Sequence, residues 1–163
     1  MADFPSLSFF EQLVARMASR PEDYRKMGPV DLTLVVRLLH PDGRAELYSL
    51  AFDGFECIAS QPATLADVRT RHAVVIEGEF EHWREMIANI RQHGAADLSH
   101  TLNYLTLPDW PFRLVAIDDD EGQLDIDRFY RYQTNLQAFF DEAGELATRA
   151  TAAVARESAC AAR

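Results

Sequence analysis

The run Ala73-Val74-Val75-Ile76-Glu77-Gly78-Glu79-Phe80-Glu81-His82-Trp83, with its continuation to Ile117, decides the fold. The apolar residues 73–76 read as one buried strand. The period then changes. Phe80, Trp83, Ile87 and Ile90 recur at helical spacing with Met86 beside them, so an amphipathic helix is expected over 79–93. Gly94 is well placed to end it. Two more strands are expected over 101–107 and 112–117, around a Pro108-Asp109-Trp110-Pro111 turn. The stretch carries much apolar surface, and no nucleophile, base and orienting group come together in it. That pairing leans toward binding an apolar ligand.

Upstream lies a β-meander. Leu32, Leu34, Val36 and Leu38 share one face of a strand over 31–40. Pro41-Asp42-Gly43 makes a tight turn, in which proline fixes φ and glycine supplies a positive one. Tyr48, Leu50 and Phe52 share a face of the next strand, and Asp53-Gly54 signals a two-residue hairpin into a third strand over 55–60. A first helix is expected from Ser8, where Ser8 and Glu11 match a capping box before the stripe Phe10, Leu13, Val14 and Met17. Residues 22–28 read as a polar connection with room for a short helical turn. A short helix fits 64–69, and the strand at 73–76 extends over 72–77. Downstream, a long helix starts near Asp125, a good N-cap. It carries Phe129, Tyr132, Leu136, Phe139, Phe140 and Leu146 at helical spacing. The reading is α+β: a five- to six-stranded, mostly antiparallel sheet covered by helices, with a long C-terminal helix. Residues 1–143 form one domain, and 144–163 form a helical or frayed tail.

Composition bounds the function. With 163 residues and a 48% apolar fraction, the chain is a single globular domain. The formal net charge is −10 and the basic residues are scattered, with Lys26 the one lysine. Counterion displacement on nucleic acid needs basic patches, so nucleic acid is excluded as a partner. An anionic membrane surface is disfavoured for the same reason. No apolar run is long enough to span a bilayer. Met1-Ala2-Asp3-Phe4-Pro5 has neither a basic nor a continuous apolar segment of a secretory signal, so the expectation is a soluble cytoplasmic protein. Cys57 and Cys160 do not make a disulfide framework, and Cys57 within a strand reads as an inert buried thiol.

No cofactor or metal is called for. His93, Asp97 and His100 are spaced so that a metal site can be imagined, but Gly94 breaks the helix between them and exposed loop residues are the better reading. The acidic run 118–121 lacks the ligand spacing of a calcium loop and reads as a solvated turn. Neither a nucleophile elbow nor a phosphate-binding glycine loop is present.

Three segments together resemble the sterol carrier protein type 2 family. They are Leu38-Leu39-His40-Pro41-Asp42-Gly43 through Phe52-Asp53-Gly54, then His72-Ala73-Val74-Val75-Ile76-Glu77-Gly78 with Phe80-Glu81-His82-Trp83, then Thr101 to Ala116 around Pro108-Asp109-Trp110-Pro111. The similarity covers roughly residues 8 to 117 and is one of pattern. It implies a sheet with a hydrophobic tunnel that binds a sterol, fatty acid or fatty acyl-CoA without covalent chemistry. The helix at 79–93 and the final helix would cover one sheet face. The candidate ligand contacts are Phe80, Trp83, Met86, Ile87, Ile90, Leu102, Tyr104, Phe129, Tyr132 and Leu136, each of which ordinary core packing also explains. The stripe on the final helix either closes the cavity or forms a homodimer contact. Two other functions stay open. One is a small cone-shaped α+β enzyme of the ketosteroid isomerase or cyclase kind, with Asp31 or Glu77 as a buried base. The other is an interaction module that works through its last helix.

Overall fold

The computed structural model describes residues 3–70, 73–105, 107–115 and 122–161. Helices α1 (Leu7–Ala18) and α2 (Pro21–Met27) precede strands β1 (Val30–Leu39), β2 (Ala45–Gly54) and β3 (Glu56–Pro62). Then follow α3 (Leu65–Thr70), β4 (Val74–Glu79), α4 (Phe80–His93), β5 (Phe112–Val115) and α5 (Gly122–Ala161). The strands lie in the order β3-β2-β1-β4-β5. β1 pairs with β2, β2 with β3 and β4 with β5 in antiparallel fashion, while β1 and β4 run parallel. The fold is α+β on a mixed five-stranded sheet.

The pleat sorts the side chains. Leu32, Leu34, Val36 and Leu38 of β1, Leu50 and Phe52 of β2, Val74 and Ile76 of β4 and Phe112 of β5 face one side. On that side they meet Phe9, Phe10, Leu13 and Met17 of α1, Trp83, Met86, Ile87 and Ile90 of α4, and Phe129, Leu136, Phe139 and Phe140 of α5. The opposite face is thinner. Val35, Val75 and Ala73 pack there with Val68 of α3. Three helices therefore cover one sheet face, among them the two that the family resemblance assigned to it.

Turn chemistry sets the register. Around Pro41-Asp42-Gly43, His40 N–H donates to Arg44 O at 2.9 Å and Gly43 N–H to His40 O at 2.9 Å. Asp53 pairs with Glu56, so the hairpin connection is Gly54-Phe55, one residue beyond the expected pair. At Gly94 the backbone turns left-handed (φ 88°), and its N–H donates to Ile90 O at 2.7 Å, which ends α4 where the sequence placed its stop.

Three local expectations are corrected and one, the turn within 22–28, is extended to a full helix. The strand expected over 101–107 is a 3-10 turn, Leu102–Tyr104. Leu102 and Leu105 are the buried leucines of the segment, three apart rather than two. Leu102 N–H donates to Gln137 Oε1 of α5 at 2.8 Å instead of to a strand, and Leu107 N–H closes on Tyr104 O at 2.9 Å. The N–H groups of Leu102 and Leu107 thus bond to α5 and within the segment's own turn instead of to a neighbouring strand. Helix α1 starts before Ser8, because the extended Ser6 caps it and accepts from Phe9 N–H at 3.1 Å. Residues 21–27 are helical, with Pro21 in the first turn and Tyr24 buried. Asp125 sits in the first turn of α5 and is not its cap, since the helix opens at Gly122. The acidic run 118–121 lies outside the described residues.

Candidate functional site

Helix α4 is amphipathic along its whole length. Trp83, Met86, Ile87 and Ile90 are fully buried, and Phe80 is half-buried, with its ring stacked on His40 at 4.7 Å. From α5, Phe129 and Leu136 are fully buried and Tyr132 packs half-buried against the same cluster. Leu102 joins them from the 3-10 turn. Of the ten candidate contacts, only Tyr104 stands apart, exposed and edge-on to Trp110 at 5.3 Å. The α5 stripe is thus covered by the chain's own sheet and by α4.

The seam between α4 and α5 is aromatic. Trp83 lies 4.6 Å from Phe112 and 5.7 Å from Phe140, ring centre to ring centre. Phe139 meets Phe52 edge-on at 5.3 Å and Phe140 at 5.7 Å. Phe52, Phe112, Phe139 and Phe140 belong to the seam although they were not among the ten candidates. Phe52, Phe139 and Phe140 were visible as members of apolar stripes. Phe112 needed its neighbour across the sheet, Gly78, which only the pairing of β5 with β4 supplies.

Polar contacts pin α5 at defined points. Gln137 Oε1 accepts from Leu102 N–H at 2.8 Å and from the Thr101 hydroxyl at 3.1 Å. Asn135 Nδ2 donates to Gly28 O at 3.0 Å. Asp141 Oδ1 accepts from Ala96 N–H at 3.0 Å and from Gln137 Nε2 at 2.9 Å. Burial pushes the Asp141 carboxyl above its ordinary pKa. The buried Glu142 carboxylate accepts from Arg16 Nε at 3.3 Å, Arg20 at 3.2 Å and the Tyr24 hydroxyl at 3.3 Å. Burial, with Glu142 alongside, raises the Tyr24 phenol.

A cleft of about 310 Å³ opens where β4 passes into α4. Glu77, Gly78, Glu79 and His82 form one wall, and Pro108-Asp109-Trp110-Pro111 with Arg113 forms the other. Glu77 is buried and clamped across three strands. Arg113 donates to its Oε1 from Nε at 2.8 Å and from Nη2 at 2.6 Å, and Arg37 Nη1 lies 2.8 Å from its Oε2. Two buried nitrogens of α4, His82 Nδ1 and Trp83 Nε1, have no hydrogen-bond partner among the described residues.

This geometry bears on the alternatives. A general base needs a free oxygen facing its substrate; both oxygens of Glu77 are engaged by guanidiniums, and Asp31 is exposed. Asp97 accepts from Ser99 N–H at 2.8 Å and Asn89 Nδ2 at 2.8 Å and stands 2.7 Å from His100 Nδ1. It locks a loop, and its hydrogen bond with His100 leads the interactions that lower its pKa to about 2. Among the described residues no group of histidine, cysteine and acidic side chains is arranged to hold a metal, and no helix is long and apolar enough to cross a membrane.

The fold has a solved counterpart. A conserved hypothetical protein of Thermus thermophilus, provisionally described as a sterol carrier protein, is similar in structure with a TM-score of 0.55 and 14% sequence identity. The likeness covers 89% of this chain and 90% of that one. No protein-family model matches the chain, and no curated protein matches it. At this identity the likeness concerns the fold, and it is the same fold that the sequence resemblance implied.

Proposed function

We propose that the protein binds an apolar small molecule, a sterol or steroid, a fatty acid or an acyl-CoA, between the sheet and the helix pair α4 and α5, without covalent chemistry. The observation that carries this reading is the aromatic seam of Trp83, Phe112, Phe139 and Phe140 on a fold similar to that of a provisionally described sterol carrier protein. Phe80, Trp83, Met86, Ile87, Ile90, Leu102, Phe129, Tyr132 and Leu136 would form the walls, and Tyr104 the rim.

The seam is closed in this structure, so uptake requires α5 to move from α4. The exchange replaces aromatic contacts between side chains by contacts of the same chemical kind with the ligand, and apolar surface stays out of water. The hinge points are the polar pins of α5, which open in water without leaving buried charge behind if they open together. The binding unit is residues 1–143 together with the turn through Leu146, which still packs against the core. The Glu77 clamp supports the non-catalytic reading over an isomerase-like one.

Titration with the neutral fluorescent probe Nile red tests this. Saturable uptake near one probe per chain, reversed by a sterol or an acyl chain, is the expected result. Fluorescence that rises without saturation, or not at all, would overturn it.

A further inference from the structure

The connection between α4 and β5 sends apolar side chains both inward and outward. Leu102 and Leu105 are buried in the same core as the inner faces of α4 and α5, whereas Leu98, Tyr104 and Leu107 stand exposed at 75%, 39% and 51%. Tight turns hold much of this surface together. Leu107 N–H donates to Tyr104 O at 2.9 Å, Trp110 N–H donates to Leu107 O at 3.1 Å, and the Tyr104 and Trp110 rings meet edge-on at 5.3 Å. From Leu98 to Pro108 the sequence has no aspartate, glutamate, lysine or arginine, and His100 is paired with Asp97. Exposed apolar side chains grouped on a stretch without free charge mark a surface that meets a partner.

Trp110 belongs to this surface and also lines the cleft at the β4–α4 junction. Its N–H is satisfied inside the protein, donating to Thr101 O at 3.1 Å, so the ring is what the indole offers outward. Asp109 lies on the same wall and Glu79 on the other. Both are exposed, and neither has an ion-pair partner among the described residues. Arg113 and Glu77, the other charged residues of the lining, engage each other. An indole ring beside two free carboxylates suits an organic cation, a quaternary ammonium above all.

A phosphatidylcholine bilayer offers both things at once, apolar depth and outward-lying trimethylammonium groups. Tyrosine and tryptophan settle at its polar boundary, and leucine passes below it. An anionic bilayer instead meets the two free carboxylates and a chain of net charge −10 with repulsion. A second copy docking through the same patch would bring like carboxylates together across a two-fold axis. We propose that Leu98, Tyr104, Leu107 and Trp110 dock the protein on a zwitterionic lipid surface, with choline head groups received between Glu79 and Asp109. The inference goes beyond the apolar-ligand reading and stands without it. Where both hold, the lipid source lies against the connection whose inner side, through Leu102, walls the pocket.

Co-sedimentation of the full chain with phosphatidylcholine vesicles, and with vesicles of phosphatidylcholine and phosphatidylglycerol in equal parts, tests it. The first should be bound roughly tenfold more tightly than the second. Leu107→Ser should weaken binding to phosphatidylcholine by roughly threefold to tenfold. Leu65→Ser, equally exposed at 51% but on α3 across the sheet, should leave it unchanged. The exposed pair Glu79→Gln/Asp109→Asn should weaken binding to phosphatidylcholine and strengthen binding to the mixed vesicles, a reversal that a merely apolar patch would not show. No binding to phosphatidylcholine, equal or tighter binding to the mixed vesicles, or equal losses from Leu107→Ser and Leu65→Ser would overturn the docking surface. So would a dimer in solution that Leu107→Ser converts to a monomer, which would give the patch to a second copy. Vesicle binding by a chain that takes up no Nile red in lipid-free solution would uphold docking and overturn the pocket.

Discussion

At Gly78 a β-carbon would collide with the Phe112 ring at 2.6 Å, and Phe112 is itself fully buried against Trp83. The ring has no room to retreat. Gly78→Ala should therefore destabilise the protein by about 1–3 kcal/mol, as overpacking of a filled core does, with chemical denaturation as the measurement. Cys57 makes the opposite point, a residue with chemistry that the fold silences. Burial pushes its thiol up to about 12, so almost no thiolate exists near neutrality. Iodoacetamide at neutral pH should leave the Cys57 peptide unmodified in the native protein and alkylate it after denaturation, as read by peptide mass mapping. The inert thiol was legible in the sequence, because a position inside a strand implied burial. Gly78 was not legible as a contact. It fell between the strand expected to end at residue 77 and the helix expected from 79, and only the antiparallel pairing with Phe112 shows what the missing side chain makes room for.

Elements meet through two charged devices. Across β1, β4 and β5, Glu77 is held by Arg37 on one side and Arg113 on the other. Either guanidinium alone satisfies much of the buried carboxylate. Arg37→Met and Arg113→Met should each cost about 1 kcal/mol or less. The double variant strands Glu77 without a partner and should cost about 3–5 kcal/mol, well above the sum. Additive losses in a denaturation series would contradict the shared clamp. Between α5 and the α4–β5 connection, Asp141 accepts both of its hydrogen bonds on one oxygen, Oδ1. Its pKa is raised by burial, so the folded state holds the Asp141 proton more tightly than the unfolded state does. That contribution is present below the unfolded value and is lost as pH rises through the folded one. Asp141→Asn keeps the accepting oxygen and removes the buried charge. The variant should be the more stable protein at neutral pH, with its advantage shrinking as pH falls through the raised carboxyl pKa; a constant advantage across pH would contradict this. Element boundaries divide the same way between legible and hidden. The amphipathic period of α4 and the Gly94 stop could be read directly, since both are local. The 3-10 turn at Leu102–Tyr104 could not, because the acceptor for Leu102 N–H is Gln137, 35 residues further on. Thr, Leu, Asn, Tyr and Leu alternate well enough to pass for a strand until that distant partner is known.

On the scale of the whole molecule, the sheet carries two unequal faces. The helix-covered face concentrates the aromatic side chains, and the other bears a small apolar cluster and the Arg–Glu–Arg row. The elements and the β1–β3 meander were legible from periodicity and turn chemistry, and the layer order came with the family resemblance; the parallel pairing of β1 with β4 was not legible, because it depends on how the chain returns from β3. Nine of the ten candidate contacts were legible as apolar and facing inward, and the tenth, Tyr104, is exposed. Whether they part for a ligand depends on how firmly α5 is held, which patterns do not carry. Native mass spectrometry of the purified chain, followed by denaturing extraction and lipid analysis, tests that most directly. The account predicts a population heavier by one apolar molecule per chain, released on denaturation and identified as a lipid. A bare chain mass that stays unchanged on incubation with sterol, hexadecanol and palmitate would contradict it, and the aromatic seam would then be core alone.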